Sequence, residues 1–130
     1  MFKKRRKDTG SIFEKYNKSF HHALDGISYA IEKEGNLIII MLFVIIVLGL
    51  CIIFPVTTLE LLAIVISTGC LMASEMMNTS VEALTDLVTT KENPLAKIAK
   101  DTVSSAVFLF TIMFIVVLGI IFVPKIISIL

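Results

Sequence analysis

Residues 37–54, LIIIMLFVIIVLGLCIIF, run for eighteen positions without a charge. As a helix rising about 1.5 Å per residue they span roughly 27 Å, close to the hydrocarbon thickness of a bilayer. In lipid every backbone N–H and C=O must be satisfied inside the segment, so such a run crosses as a helix. Two further spans follow. After a turn at Pro55, residues 59–88 are apolar as far as Met72 and amphipathic beyond it, and residues 103–123 form a third span with Pro124 at its far end. The chain has 130 residues, 56% of them hydrophobic, which places it in the membrane class and limits it to one small domain. The first run begins after 36 residues, is too long for the apolar stretch of a cleaved signal, and is followed by Cys51-Ile-Ile-Phe-Pro55 rather than a small-x-small cleavage site. It is therefore expected to be retained.

The net charge is only +1, but its distribution is uneven. Lys3, Lys4, Arg5, Arg6 and Lys7 open the chain, and Lys91, Lys97 and Lys100 fill the second loop, whereas residues 55–60 hold no basic side chain. The positive-inside rule puts the N-terminus and the second loop in the cytoplasm, and three spans then leave the C-terminus outside. Lys125 argues weakly the other way. Residues 1–10 read as a solvated basic arm suited to anionic headgroups. From Ser11 to Glu34, the apolar residues Ile12, Phe13, Tyr16, Phe20, Ala23, Leu24, Ile27, Ala30 and Ile31 recur at helical spacing, predicting an amphipathic helix along the cytoplasmic membrane surface. The fold expected is thus all-α and integral to the membrane: residues 1–36 as arm and surface helix, residues 37–130 as a three-span domain.

The chemistry lies in the second span. Glu75, Asn78, Glu82 and Asp86 are spaced three, four and four apart, and at 100° per residue they fall within one stripe roughly 80° wide and about 16 Å long. Carboxylates at membrane depth cost roughly 2.5–3.5 kcal/mol each on insertion scales, so they persist where they pair, bind cations or line a wet cavity. Lys100 and Asp101 come 14 and 15 residues after Asp86, and a loop broken at residues 89–93 before Pro94 would return them to the same cytoplasmic mouth. A cation site, a carboxylate that can act as base and a lysine at one water–lipid boundary are the parts of a phosphoryl transfer. By themselves Lys100 and Asp101 read equally well as an interfacial lysine and a helix N-cap. No G-x-x-x-x-G-K-[ST] and no G-x-G-x-x-G is present, which excludes a P-loop or a protein-kinase cleft for any nucleotide. Cys51 and Cys70 lie within spans without metal-type spacing and read as small buried hydrophobes.

The string E-x-x-N-T-S-x-E-x-x-x-D over Glu75, Asn78, Glu82 and Asp86, the following P-L-A-K-I-A-K-D-T-V-S from Pro94 to Ser104, the F-H-H-A-L-D-G-I segment from Phe20 and the E-G-N of Glu34 to Asn36 together resemble the small three-span prokaryotic diacylglycerol kinases, and among them the undecaprenol kinases of Gram-positive type. The resemblance covers about residues 16–125. It implies a homotrimer in the bacterial inner (cell) membrane that transfers the ATP γ-phosphate, with Mg²⁺, to a lipid alcohol: undecaprenol first, diacylglycerol as the alternative. It further implies Glu75 as catalytic base with Asn78 beside it, Glu34 and Glu82 as metal ligands, Glu82, Asp86, Lys100 and Asp101 toward the nucleotide, and Ser104 near the lipid headgroup. The sequence departs from the family pattern at Gly35 and Leu37–Ile40, where a basic, an aromatic and an imidazole side chain are usual, at His22, where an aromatic is common, and at Lys91-Glu92-Asn93, where E-Y-H is usual. His22, Lys91 and Asn93 are accordingly expected at the nucleotide mouth. No nucleic-acid partner is expected. The competing class, a small ion- or proton-coupled membrane subunit, usually needs one carboxylate near mid-bilayer rather than a stripe running to the cytoplasmic side and met by a lysine.

Overall fold

The computed structural model describes residues 12–33 and 35–129, in four helices: α1 (Ile12–Lys33), α2 (Gly35–Ile53), α3 (Thr58–Val88) and α4 (Pro94–Ile127). The basic arm and Glu34 lie outside the described residues. Helices α2, α3 and α4 are each long and apolar enough to cross a membrane.

The antiparallel pair α3 and α4 forms the most extensive interface, and α2 leans on it more lightly. The shared core is apolar: Val47 of α2, Ile64 and Leu71 of α3, and Phe114, Ile121 and Phe122 of α4. Phe54, just after α2, meets Phe122 edge to face at 6.1 Å. Ser67, Ser74 and Thr79 are buried in α3 without cost to this packing, because each hydroxyl donates to a carbonyl of its own helix, at 3.1, 2.7 and 3.2 Å. Outward-pointing Ile38, Leu42, Ile45, Ile46, Leu62, Ile66, Phe108, Leu109, Ile112 and Val116 are exposed, as a lipid solvent requires.

Helix ends are set by local chemistry. Thr57 and Glu60 form a capping box at the start of α3: the Glu60 N–H donates to Thr57 Oγ1 at 3.2 Å and the Thr57 N–H to Glu60 Oε2 at 2.7 Å. At the other end, Thr89 turns to an extended conformation and its N–H closes on the Thr85 carbonyl. Asn93 then caps α4, its Oδ1 accepting from the N–H groups of Leu95 and Ala96 at 2.9 and 3.4 Å, with Pro94 at the first helical position. Helix α4 therefore starts nine residues before the apolar run at Val103 and continues through Pro124 to Ile127. The apolar run reports the lipid thickness, not the helix length. Asp101, inside α4, is not an N-cap. Helix α1 touches α2 and α3 and buries only Ala30, leaving Ile12, Phe13, Tyr16, Phe20, Leu24 and Ile27 exposed.

Lys125 joins the end of α4 to the start of α3. Its Nζ donates to the Pro55 carbonyl at 2.9 Å and lies 3.0 Å from Glu60 Oε1. The lone basic side chain at this end of the bundle among the described residues is thus held in an ion pair.

Candidate active site

The acidic residues of α3 share one face, as their angular spacing predicts; that face is turned toward α4, and burial falls along its length. Glu75 is 1% exposed and Asn78 6%, Glu82 is half-buried and Asp86 is exposed. The stripe thus runs from the protein interior to the loop end of the α3–α4 hairpin.

Three contacts organise it. Ser104 of α4 donates through Oγ to Asn78 Oδ1 at 3.2 Å, and Asn78 Nδ2 donates to Glu82 Oε1 at 3.2 Å. The amide of Asn78 is oriented by this pairing, since a carboxylate can only accept. One turn beyond Glu82, Lys100 Nζ lies 2.6 Å from Asp86 Oδ1. The hairpin therefore returns Lys100 and Ser104 to the stripe, and Lys100 is not simply a snorkelling interfacial lysine.

Glu75 stands apart. Both its carboxylate oxygens are buried and have no hydrogen-bond partner among the described residues. A buried carboxylate left unpaired costs several kcal/mol, and such groups in natural proteins mark chemistry more often than packing. Glu75 lines a slot of about 370 Å³ between α2, α3 and α4, whose wall is otherwise almost wholly apolar: Ile39, Ile40, Phe43, Leu71, Val107, Phe114, Ile115 and Leu118, with Asn36 and Thr111 as the remaining polar side chains.

A second, polar cavity of about 790 Å³ opens at the hairpin loop, lined by Thr85, Asp86, Thr89–Asn93, Lys97, Lys100 and Asp101 among others. Asp86, Lys91, Asn93, Lys100 and Asp101, all expected at a nucleotide mouth, meet in this cavity. The Asn93 side chain also caps α4, and the Lys91 N–H bonds to Thr89 Oγ1 at 3.2 Å. His22 is exposed on α1 and does not line either cavity. No group of three or more His, Cys, Asp or Glu residues arranged for a metal ion occurs among the described residues; Glu34 is outside them, so Glu82 is the described member of that pair.

This division, a buried carboxylate over an apolar slot and a charged cavity beyond it, is the layout expected where a lipid and a phosphate donor meet. Residues 21–122 match the prokaryotic diacylglycerol kinase family. The chain belongs to that family. It is 32% identical to an undecaprenol kinase of Bacillus subtilis over 92% of this chain and 97% of that protein. It is 34% identical to a diacylglycerol kinase of Synechocystis over 85% of this chain, which corresponds to 63% of that longer protein. The chain is accordingly a lipid kinase, and its three apolar helices are those of a multi-pass membrane protein.

Sequence reasoning missed two groups of this lipid kinase. Asn36 was noted only within the E-G-N string; its position three, four and seven residues before Ile39, Ile40 and Phe43 sets it on the slot-facing side of α2. The T-x-x-E of Thr57 and Glu60 was readable as a capping box, but its partner Lys125 is 65 residues from Glu60 and has no local signal.

Proposed function

We propose that this lipid kinase phosphorylates undecaprenol at the cytoplasmic face of the bacterial cell membrane, using ATP and Mg²⁺, as a homotrimer with its N-terminus inside. The observation that carries the reading is the unpartnered, buried carboxylate of Glu75 at the wall of an apolar slot. Undecaprenol is favoured as acceptor by the similarity to the Bacillus subtilis undecaprenol kinase over nearly its whole length.

In this reading the acceptor hydroxyl reaches Glu75 from the slot and gives up its proton there as its oxygen attacks the γ-phosphorus; the bond from that phosphorus to the departing diphosphate breaks. Asn78, fixed between Ser104 and Glu82, keeps the neighbouring polar groups in register. The loop cavity takes the nucleotide, with Lys100 toward the phosphates and Asp86, Lys91, Asn93 and Asp101 around it. His22 on α1 is assigned to the same nucleotide from the family register, reaching it in the assembled protein.

The donor set fits magnesium. Glu82 offers a hard carboxylate with one oxygen committed to Asn78 and the other uncommitted among the described residues, and Mg²⁺ is typically held by one or two carboxylates with substrate phosphates and water completing its shell. Glu34 is the proposed second carboxylate. The ion, when bound, supplies neutralisation of phosphate charge.

The test is Mg²⁺-dependent transfer from radiolabelled ATP in mixed micelles offering undecaprenol and diacylglycerol side by side. Preferential labelling of undecaprenol is expected; preferential labelling of diacylglycerol replaces the acceptor, and no labelling of either by folded protein overturns the reading.

A further inference from the structure

The 370 Å³ slot has a direction. Along α2 it is lined by Asn36, Ile39, Ile40 and Phe43, and along α4 by Val107, Thr111, Phe114, Ile115 and Leu118, with Glu75 and Leu71 behind. Each set has the helical spacing of a single face, so the slot follows the helix axes for about 10–16 Å. Its polar groups are grouped toward one end. Asn36, in the first turn of α2, and Glu75 lie on the side of the nucleotide-bearing hairpin loop, and below them the wall is apolar except for Thr111, whose hydroxyl is already committed to the Val107 carbonyl at 2.9 Å.

Asn36 is exposed, and its amide makes no hydrogen bond among the described residues. Glu75 is buried and equally unpartnered. Two polar side chains, one outer and one inner, therefore line the same slot, and neither is spent on the fold. An alcohol oxygen carries one proton and two lone pairs: it can give the proton to a carboxylate and accept from an amide N–H in the same instant.

We propose that Asn36 is an acceptor-binding residue of the kinase: its Nδ2–H donates to the oxygen of a lipid alcohol whose single hydrocarbon chain lies down the slot, and so turns the hydroxyl proton toward Glu75. The proposal rests on the kinase reading above and adds to it a group that selects and orients the acceptor. In the transfer, the acceptor O–H bond breaks with its proton passing to the Glu75 carboxylate, the oxygen–phosphorus bond forms, and the bond to the departing diphosphate breaks; Asn36 exchanges no proton and holds the oxygen throughout.

The experiment compares wild type with Asn36→Ala, Asn36→Asp and Asn36→Gln in mixed micelles, measuring KM for undecaprenol and for ATP separately together with kcat. Asn36→Ala is expected to raise the acceptor KM or lower kcat/KM for the acceptor about tenfold, as loss of one well-placed hydrogen bond allows, with the ATP KM unchanged. Asn36→Asp, which cannot donate, should behave no better than alanine, and Asn36→Gln should recover part of the loss. Unchanged acceptor kinetics in Asn36→Ala, or equal rises in both KM values, overturn the proposal while leaving the kinase reading standing. An inactive wild type defeats the kinase reading itself. Size-exclusion profiles of the variants matching wild type show that the kinetic change is not a folding defect; an altered profile for all three variants makes Asn36 a structural residue and ends the proposal.

Discussion

Lys100 and Asp86 are joined at 2.6 Å between Nζ and Oδ1, from the second turn of α4 to the last turns of α3. Both side chains are substantially accessible to solvent, at 36% and 57%. A pair this exposed contributes little to stability, because solvent screens it. The pair lies at the wall of the loop cavity, and in the proposed function Asp86 holds the ammonium there, beside the nucleotide phosphates. Lys100→Met is expected to leave thermal unfolding in detergent nearly unchanged and to raise the KM for ATP roughly tenfold or more, since a charge-assisted contact to phosphate is lost. Titration of ATP at saturating acceptor measures it; a large loss of stability with an unaltered ATP KM would make the pair a structural clamp.

Glu75 gives the converse case. It is 1% exposed, its oxygens lack partners among the described residues, and it lines the apolar slot between α2, α3 and α4. Glu75→Gln removes the proposed base while keeping the shape, and is expected to reduce transfer by about 10²–10⁴-fold. Because a neutral amide is easier to bury than a carboxylate, the variant should unfold at the same temperature as wild type or higher. Parallel turnover and melting measurements check both halves, and near-normal turnover would remove the base role.

Within the stripe, Glu82 accepts from Asn78, which in turn accepts from Ser104. Glu82→Gln should keep a contact to Asn78 by flipping one amide, yet lose the anionic oxygen. The Mg²⁺ concentration needed for half-maximal transfer is expected to rise by about tenfold or more, while the maximal rate at saturating metal falls less. An unchanged magnesium requirement takes Glu82 out of the proposed metal site.

Much of this arrangement was legible in the sequence because helical geometry is rigid. The 100° step alone put Glu75, Asn78, Glu82 and Asp86 on one face, and the short break before Pro94 was enough to bring Lys100 back to Asp86. Other features needed information that no local pattern carries. The start of α4 at Pro94 is set by the Asn93 cap and not by hydropathy, so the apolar run marks only where lipid begins. The slot beside Glu75 exists because α2 leans on the α3–α4 pair, and the E-G-N string says nothing of that contact. Lys125 entered the sequence reading only as a stray charge against the topology, whereas the structure uses it to tie two helix ends together.

That tie supports a prediction about stability alone. Glu60 serves two partners, accepting from the Thr57 N–H in the capping box and pairing with Lys125, whose Nζ also donates to the Pro55 carbonyl. The two side chains are about three-quarters shielded, at 24% and 26% exposure, so solvent screens the pair less than it screens a fully exposed one, and its contribution to stability is modest. Lys125→Met should lower the unfolding temperature by a few degrees. Glu60→Gln retains a carbonyl oxygen for the capping box and loses only the charge, so its effect should be of similar size, and the double variant should be no worse than either single one. All three should transfer phosphate at the wild-type rate below their melting range, because the clamp lies at the end of the bundle opposite the hairpin loop. Additive losses in the double variant, measured by thermal unfolding in detergent, would mean that the two residues act separately and that the 3.0 Å contact contributes nothing.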